Sequence, residues 1–411
     1  MVGVARGLGI FAGTLVILGA GVYGPATLVG PLPAASVTML PAASPEASAV
    51  PPVLPADGAT AITEGADLAP LAVAGETAAV PMAGITKTIT ALVVLDAKPL
   101  ADGEPGGIVP ITTDDYLSYL DYRDGGTRTV TVYTADEWTE REMLQALLLG
   151  SSNNHADTLA RWAFGSVDAY VEAANAWLDE NGMIGTTVVD ATGLDEDSVG
   201  TATDLARLAA LALNDSAVSS VLSEPVTGLP SRRGITNTTT YLPEQQVVGV
   251  SRSYTDAAGI CLLFAGDVSV DGESYRFYGA FLRQPDWETL ERGVTAVMDS
   301  ARAGVTPTPV LAEGSPVVTF TTPWGESADG VSGASPARLR WGAATPEIDV
   351  QADDVSSAGT GAKVGSITVV DGSVSAKTSL TLNRALTDPG VFWRLSHPVP
   401  VIGSLIDSLS N

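Results

Sequence analysis

Residues 81–96 most constrain the fold of this chain, because they form a run of helix length in which almost every side chain is apolar or small. The run begins with a proline and a glycine and carries one cation, Lys87, in what we predict to be its first helical turn. A cation is unfavourable at a helix N-terminus, and the valines, isoleucines and leucines around it predict burial. Lys87 is therefore either a solvated residue at a helix entrance or an amine held close to a reacting group.

Charge and composition exclude several classes of function. The 411 residues include 47 acidic and 21 basic ones, for a net charge of −26, so the protein has little with which to neutralise nucleic-acid phosphates. The two histidines, His155 and His397, and the single cysteine, Cys261, form no cluster of zinc-binding spacing, so we predict neither a metal nor a cofactor. We predict that both histidines are structural and that Cys261 is a buried thiol.

The amino-terminal part of the chain predicts export. Residues 7–30 carry no charge, and residues 1–32 are interpreted as a membrane anchor, with a cleaved signal segment as the alternative. Residues 33–60 are rich in proline, alanine and serine and predict a linker. Either interpretation places the remainder of the chain on the extracytoplasmic side of a membrane.

The remainder of the chain predicts two domains and a tail. Residues 61–304 mix helical and strand patterns, with the strands late, which indicates one α+β domain. Within it we predict a strand over residues 127–133. Residues 305–396 alternate short apolar strands with turns and predict a small all-β domain. Residues 397–411 have apolar residues at helical spacing and form a tail.

Three segments of the α+β region carry candidate chemistry. The first is PMAGITKTITALV at residues 81–93, the second is LLLGSSNN at residues 147–154, and the third is SRSYTDAAG at residues 251–259. In this order they resemble the three motifs of the serine-type D-alanyl-D-alanine carboxypeptidases, which are low-molecular-weight penicillin-binding proteins. Those motifs read Pro-x-Ala-Ser-Ile/Leu-Thr-Lys, Ser-x-Asn and Lys-Thr-Gly.

The resemblance implies a penicillin-binding, serine β-lactamase-like fold, with an antiparallel sheet covered by helices on both faces, followed by the all-β domain. It also implies a peptidoglycan stem peptide ending in D-Ala-D-Ala as the partner. In the family the motif serine attacks the peptide, the lysine three residues later takes its proton, and the serine of Ser-x-Asn relays that proton to the leaving group. The lysine of Lys-Thr-Gly supplies positive potential.

This sequence retains Lys87, Ser151 and Asn153, but it departs from the family at the remaining positions. Gly84 stands at the position of the nucleophile, and Ser251, Arg252 and Ser253 replace Lys-Thr-Gly. Glycine cannot form an acyl-enzyme. Arg252 is either a clamp for a terminal carboxylate or an arginine that faces solvent from an edge strand.

Three hypotheses about function stay open. In the first, the chain is an exported cell-wall protein of this family, impaired in catalysis, that binds or scaffolds peptidoglycan. In the second, it is an active carboxypeptidase or related hydrolase that uses Ser151 with Lys87. In the third, it is a structural wall protein with a vestigial cleft.

Overall fold

The computed structural model describes residues 10–11, 13–41, 50–66, 69–101, 103–224, 226, 228–230, 235–341, 347–371 and 374–410. The chain forms two compact units. One comprises Ser48–Thr306 with Leu339–Gly342, and the other comprises Met1–Ala47, Pro307–Arg338 and Ala343–Asn411. The short strands Thr306–Pro309 and Ala337–Arg340 lie where the chain passes from one unit to the other.

A five-stranded antiparallel sheet forms the centre of the first unit. Its strands are β1 (Ala59–Thr63), β2 (Ala72–Gly75), β3 (Val247–Thr255), β4 (Gly259–Val270) and β5 (Glu273–Gln284). They are arranged in the order β2-β1-β5-β4-β3, and every neighbouring pair is antiparallel. Strand β3, which carries the third motif, therefore lies at the edge of the sheet.

Helices cover both faces of this sheet. They are α1 (Thr86–Ala97), α2 (Thr113–Asp124), α3 (Glu140–Leu148), α4 (Asn153–Phe164), α5 (Val167–Glu180), α6 (Ala202–Asn214), α7 (Ser216–Ser223) and α8 (Trp287–Gly304). The larger apolar core joins α1 and α3–α7 to one face of the sheet. A second core joins the other face to α8 through the rings of Phe264, Phe277 and Phe281. The predicted α+β class, with an antiparallel sheet between helices, is confirmed.

Helix α1 runs through the middle of the larger core, and its first ten residues are all buried. Two polar side chains of this helix, Lys87 and Thr90, find hydrogen-bond partners inside the protein, whereas the Thr86 and Thr88 hydroxyls have none among the described residues. The Thr90 hydroxyl lies 3.1 Å from the Thr86 carbonyl oxygen and 2.8 Å from both the Tyr170 hydroxyl and the Ala191 carbonyl oxygen. Burial on all sides agrees with a sequence that is apolar all round the helix.

The second unit is built on a six-stranded antiparallel sheet. In spatial order its strands are Ser36–Met39, Pro316–Thr321, Ser327–Ser332, Val374–Leu382, Lys363–Asp371 and Glu347–Ala352. The predicted additional β domain is confirmed. Its first strand comes from residues 33–60, the stretch in which we expected only a linker. Two helices follow the sheet, α9 (Gly390–Ser396) and α10 (Pro398–Ser410).

Two expectations from the sequence differ from the structure. Among the described residues no single helix is long and apolar enough to cross a membrane: the N-terminal apolar helix covers Gly13–Leu28, and only the bent pair Ala202–Asn214 and Ser216–Ser223 has a sufficient length and composition. The transmembrane helix predicted within residues 1–32 is thus not supported by the described part of this segment, and residues 1–9 and 12 lie outside the described residues.

The strand predicted over residues 127–133 is wrong, because this stretch has no strand partner. Polar side chains bind its backbone instead. The Val130 N–H lies 3.0 Å from the Ser152 Oγ, and the Asn154 Nδ2 donates to the Val130 carbonyl oxygen at 3.1 Å.

Candidate active-site cleft

Gly84 lies in the buried 3₁₀ turn Ala83–Ile85, which leads directly into α1. This turn is held by a close backbone approach. A Cβ atom at Gly193 would lie 1.8 Å from the Ala83 carbonyl oxygen, and Gly193 itself has a φ of +72°. Only glycine fits there without strain, so Gly193 allows the turn that presents position 84 to the cleft.

Lys87 occupies the first turn of α1, with only 4% of its surface exposed. Its Nζ donates a hydrogen bond to the Thr192 carbonyl oxygen at 2.7 Å. Burial lowers the pKa of Lys87 to about 8, although the negative charge of Asp190 acts in the opposite direction. The amine of Lys87 is therefore part charged and part neutral near physiological pH.

Asp190 organises the loop that holds the Lys87 amine. Its carboxylate accepts hydrogen bonds from the Thr192 hydroxyl at 2.5 Å, from the Gly193 N–H at 2.9 Å and from the Ser198 hydroxyl at 2.8 Å. These contacts fix the Thr192 carbonyl oxygen that accepts from Lys87.

Ser151 and Asn153 lie at the junction between α3 and α4. Ser151 has a φ of +51°, a left-handed conformation that is uncommon for residues other than glycine. Asn153 is the first residue of α4 and is buried. Its backbone N–H donates to the Arg128 carbonyl oxygen at 3.0 Å, and within the described part of the chain its Oδ1 has no hydrogen-bond partner.

The third motif places the Ser253 hydroxyl beside position 84, where the nucleophile was predicted. Ser253 lies on β3 opposite Cys261 of β4. A Cβ atom added to Gly84 would lie 3.1 Å from the Ser253 Cβ and 3.5 Å from its Oγ. The Ser253 side chain is nine-tenths buried, and its Oγ has no partner among the residues that the structure describes. Serine and glycine have thus changed places relative to the family motifs.

Arg252 directs its guanidinium to other groups. Its Nε donates to the Thr238 carbonyl oxygen at 3.2 Å. The guanidinium carbon lies 5.7 Å from the ring centre of Tyr241 and 5.5 Å from that of Trp287, within cation–π range. Arg252 and Ser251 line a cavity of only about 10 Å³ beside Gly84 and Lys87.

The three motifs meet at one cavity of about 450 Å³. Its lining includes retained and altered motif positions together with one arginine that the sequence analysis missed: Gly84, Lys87, Ser151, Asn153, Ser253 and Arg128. Arg128 precedes the second motif by more than twenty residues, so no motif spacing marked it. The cavity combines an amine, a guanidinium, an amide, five hydroxyls and one carboxylate, that of Asp256. Its two cations and its hydrogen-bonding groups suit recognition of a peptide with a carboxylate.

The histidines and the cysteine do not line this cavity. His155 is buried, its ring centre lies 4.7 Å from that of Trp138, and burial lowers its pKa to about 3. His397 stacks on Trp393 in the other unit. Cys261 is buried, which raises the pKa of its thiol to about 12. In the described ranges no three His, Cys, Asp or Glu side chains converge as metal ligands would.

The family model of the D-alanyl-D-alanine carboxypeptidases matches residues 58–268, about half of the chain. The chain belongs to this family. The match contains all three motif segments and strands β1, β2 and β3 of the sheet. Members of the family are serine peptidases, and Gly84 occupies the position at which the motif resemblance predicts their nucleophile.

Sequence relatives agree with this membership. The chain is 38% identical over 130 residues to the D-alanyl-D-alanine endopeptidase of Pseudomonas aeruginosa, and this match covers 31% of this chain and 38% of the relative. It is 29% identical over 192 residues to the enzyme of the same name from Escherichia coli, covering 44% and 58%. The matched regions thus span less than two thirds of the relatives' lengths.

Solved structures resemble the fold. A D-alanyl-D-alanine carboxypeptidase from Mycobacterium tuberculosis is 25% identical with a TM-score of 0.52, and the match covers 63% of this chain and 96% of that one. Penicillin-binding protein 6B from Escherichia coli is 18% identical with a TM-score of 0.57, and the match covers 80% and 96%. The second likeness is one of fold only, and it extends beyond the peptidase unit.

Proposed function

We propose that the chain binds peptidoglycan stem peptides ending in D-Ala-D-Ala in this cleft and is impaired in the acyl transfer typical of its family. The observation that carries the proposal is the pair Gly84 and Ser253. Position 84, where the family motif has the nucleophile, has no hydroxyl, and Ser253 fills the space beside it. The rest of the cleft retains the groups that would contact a peptide.

The state of Lys87 supports impairment. An activated nucleophile requires a base within hydrogen-bond reach. The Lys87 amine donates to the Thr192 carbonyl oxygen, and no hydrogen bond joins it to Ser151 or Ser253 among the described contacts. In this arrangement the amine contributes positive potential, and no hydroxyl is prepared for attack.

The proposed peptidoglycan ligand indicates where in the cell the protein acts. Peptidoglycan lies outside the cytoplasmic membrane, so we propose that both units are extracytoplasmic and act in binding or scaffolding at the cell wall. We also propose that the apolar N-terminal segment attaches the chain to the membrane, or is a cleaved signal that releases a secreted protein. Protease accessibility in intact cells tests the location directly.

A second candidate function is a working hydrolase with a displaced nucleophile. The observation that favours it is the Ser151 Oγ, which lies 3.5 Å from the place that a Cβ of residue 84 would occupy. In this alternative Ser151 attacks the peptide carbonyl and Lys87 takes its proton. Ser151 would then lack a relay to the leaving amine, which makes this candidate weaker.

Two measurements separate these functions and the vestigial cleft. The full chain is titrated by calorimetry with an acetylated stem peptide ending in D-Ala-D-Ala, and with the L-Ala-L-Ala form as control. It is also incubated with fluorescent penicillin, followed by intact-mass analysis. We expect saturable binding of the D-form and no covalent adduct. An adduct on any serine contradicts impairment, and a lack of saturable binding favours a structural wall protein.

A further inference from the structure

The positive charge of the cleft has moved relative to the family motifs. Position 251 is serine, so the cation of the third motif is absent. The Arg252 guanidinium is occupied by the Thr238 carbonyl oxygen and by two aromatic rings. Lys87 is buried at the floor of the cleft. A ligand carboxylate at the mouth of the cleft therefore needs another partner.

Arg128 is placed to be that partner. It lines the 450 Å³ cavity together with Lys87 and Asn153, and it is exposed. Its own backbone carbonyl accepts the Asn153 N–H at 3.0 Å, which fixes the Arg128 backbone beside the start of α4. Two residues later Val130 is held by the side chains of Ser152 and Asn154. The second motif thus positions the segment that carries Arg128.

The Arg128 guanidinium also differs from other arginines of the protein in its surroundings. Within the described ranges no carboxylate lies at ion-pair distance from it, and its side chain makes no hydrogen bond. Several other arginines do pair with acids: Arg123, Arg141, Arg161, Arg276, Arg292, Arg302 and Arg394. Among the described arginines without an acidic partner at ion-pair distance, which include Arg252, Arg128 is the one that lines the 450 Å³ cavity.

We propose that Arg128 binds the terminal carboxylate of the peptide in this cleft, so that the protein selects stem peptides with a free C-terminus over amidated or internal ones. A guanidinium suits this task because its planar donors match the two carboxylate oxygens. The inference rests on the proposed function, since it names the group that recognises the ligand of that same cleft.

Electrostatics between Arg128 and Lys87 support this assignment. The charge of Arg128 is one of the influences that lower the pKa of Lys87, after burial and in opposition to Asp190. Two cations facing one cavity repel each other, and an anionic group between them removes that repulsion. Asp256 also lines the cavity, so its lining carries two cations against one carboxylate, which favours an anionic ligand beside Arg128 and Lys87.

The experiment compares two ligands and three variants. The ligands are an acetylated stem peptide ending in D-Ala-D-Ala and its C-terminal amide, titrated by calorimetry into the full chain. The variants are Arg128→Gln, Arg252→Gln and, as the matched control, Arg292→Gln, which removes an exposed charge from α8 that pairs with Glu288. Thermal unfolding of each variant establishes that it is folded.

We expect Arg128→Gln to weaken binding of the acid about tenfold or more and to leave the amide unchanged, because a hydrogen-bonded charge pair is lost. Arg292→Gln should stay within about twofold of the wild type, and Arg252→Gln should weaken binding of the acid less than Arg128→Gln does. The role of Arg128 is overturned if Arg128→Gln binds the acid as the wild type does, or if it loses affinity for the acid and the amide equally. Either result leaves the proposed function standing. A wild-type chain that binds neither ligand overturns the proposed function and the inference with it.

Discussion

A Cβ atom at position 84 would lie 3.1 Å from the Cβ of Ser253, so the turn before α1 and the edge strand β3 touch at a point where the family motifs place serine and glycine in the opposite order. The total number of hydroxyls at this contact is unchanged, but the hydroxyl has moved from the helix to the strand. One exchange accounts for the departures at positions 84 and 253, because a side chain on one element leaves room only for glycine on the other.

This relationship predicts how the two positions respond to mutation. Gly84→Ser alone should lower stability by about 1–3 kcal/mol, because its Cβ is forced against Ser253. Adding Ser253→Gly should recover most of that loss, so that the two changes are strongly non-additive. Chemical unfolding of the wild type, both single variants and the double variant measures the coupling. Additive effects would show that the two residues do not share the space.

Restoring the complete family motifs should restore acylation. The variant with Gly84→Ser, Ser251→Lys, Arg252→Thr and Ser253→Gly recovers the nucleophile, the cation and the space between them, while Lys87 and Ser151 are already present. We expect a covalent adduct with fluorescent penicillin at position 84 of this variant, as read by mass spectrometry. The same background with Gly84→Ala is the control. If both remain unlabelled, the alignment of the motifs is wrong.

The pKa of Lys87 predicts a specific dependence of stability on pH. Burial lowers this pKa from 10.5 to about 8, so between these pH values the unfolded chain binds more protons at residue 87 than the folded one does. Stability from this residue therefore rises with pH across that window and is lowest below pH 8. Between about pH 7.5 and 9.5 the rise should be about 2 kcal/mol.

The variant Lys87→Met isolates this contribution. Urea unfolding of the wild type and of Lys87→Met is compared at several pH values, so that tyrosines and other groups cancel in the difference. We expect the gap between the two proteins to change by about 2 kcal/mol in favour of the wild type as pH increases. A gap that is independent of pH would show that Lys87 titrates normally.

The sequence was sufficient to predict the features that depend on local pattern and on the order of the motifs. The apolar run 81–96 predicted a buried helix, and the order of three motifs predicted the sheet with helices on both faces. It was not sufficient for Ser253 and Gly84, because their contact joins a strand and a turn that are 169 residues apart in the chain. A glycine and a serine in separate motifs carry no mark of sharing one space.

Arg128 shows a second limit of the sequence. Residues 127–133 alternate as a strand does, yet the side chains of Ser152 and Asn154 take the backbone groups that a neighbouring strand would have paired. Tertiary hydrogen bonds of this kind override local periodicity. Arg128 lies outside the three motifs, and its place beside the second motif depends on these tertiary hydrogen bonds.

Asp115 of α2 binds side chains of α4, the helix that begins in the second motif, so we expect it to stabilise the packing of these two helices. It caps α2 through Thr112, and its Oδ1 accepts from the Arg161 Nη2 at 2.7 Å and from the Thr158 hydroxyl at 3.0 Å, both on α4. Burial raises the pKa of Asp115, but the hydrogen bonds from Thr112 and the Arg161 guanidinium outweigh burial and hold that pKa below its ordinary value. The contribution of Asp115 is therefore present at neutral pH and is lost as pH falls through this lowered pKa.

Asp115→Ala should destabilise the protein by about 3–5 kcal/mol, since it leaves Arg161 without its partner. The control is Asp121→Ala on the exposed part of α2, for which we expect a change within about 0.5 kcal/mol. Unfolding in guanidinium at neutral pH measures both. An equal effect of the two changes would mean that the ion pair contributes nothing beyond surface charge.

We expect Asp190 to influence the charge state of Lys87. Its carboxylate favours the charged amine and at the same time orders the loop whose Thr192 carbonyl oxygen accepts from that amine. In Asp190→Asn the negative charge is lost, so the pKa of Lys87 should fall below about 8. Selective isotope labelling of the lysine side chains, with Lys87 assigned through the Lys87→Met variant, measures this pKa by NMR.

The control is Asp168→Asn, which removes an exposed acid at the start of α5 and should leave the pKa of Lys87 unchanged. A rise in the pKa of Lys87 in Asp190→Asn would show that loosening of the Thr192 loop exposes the amine to water, and that burial outweighs the charge of Asp190.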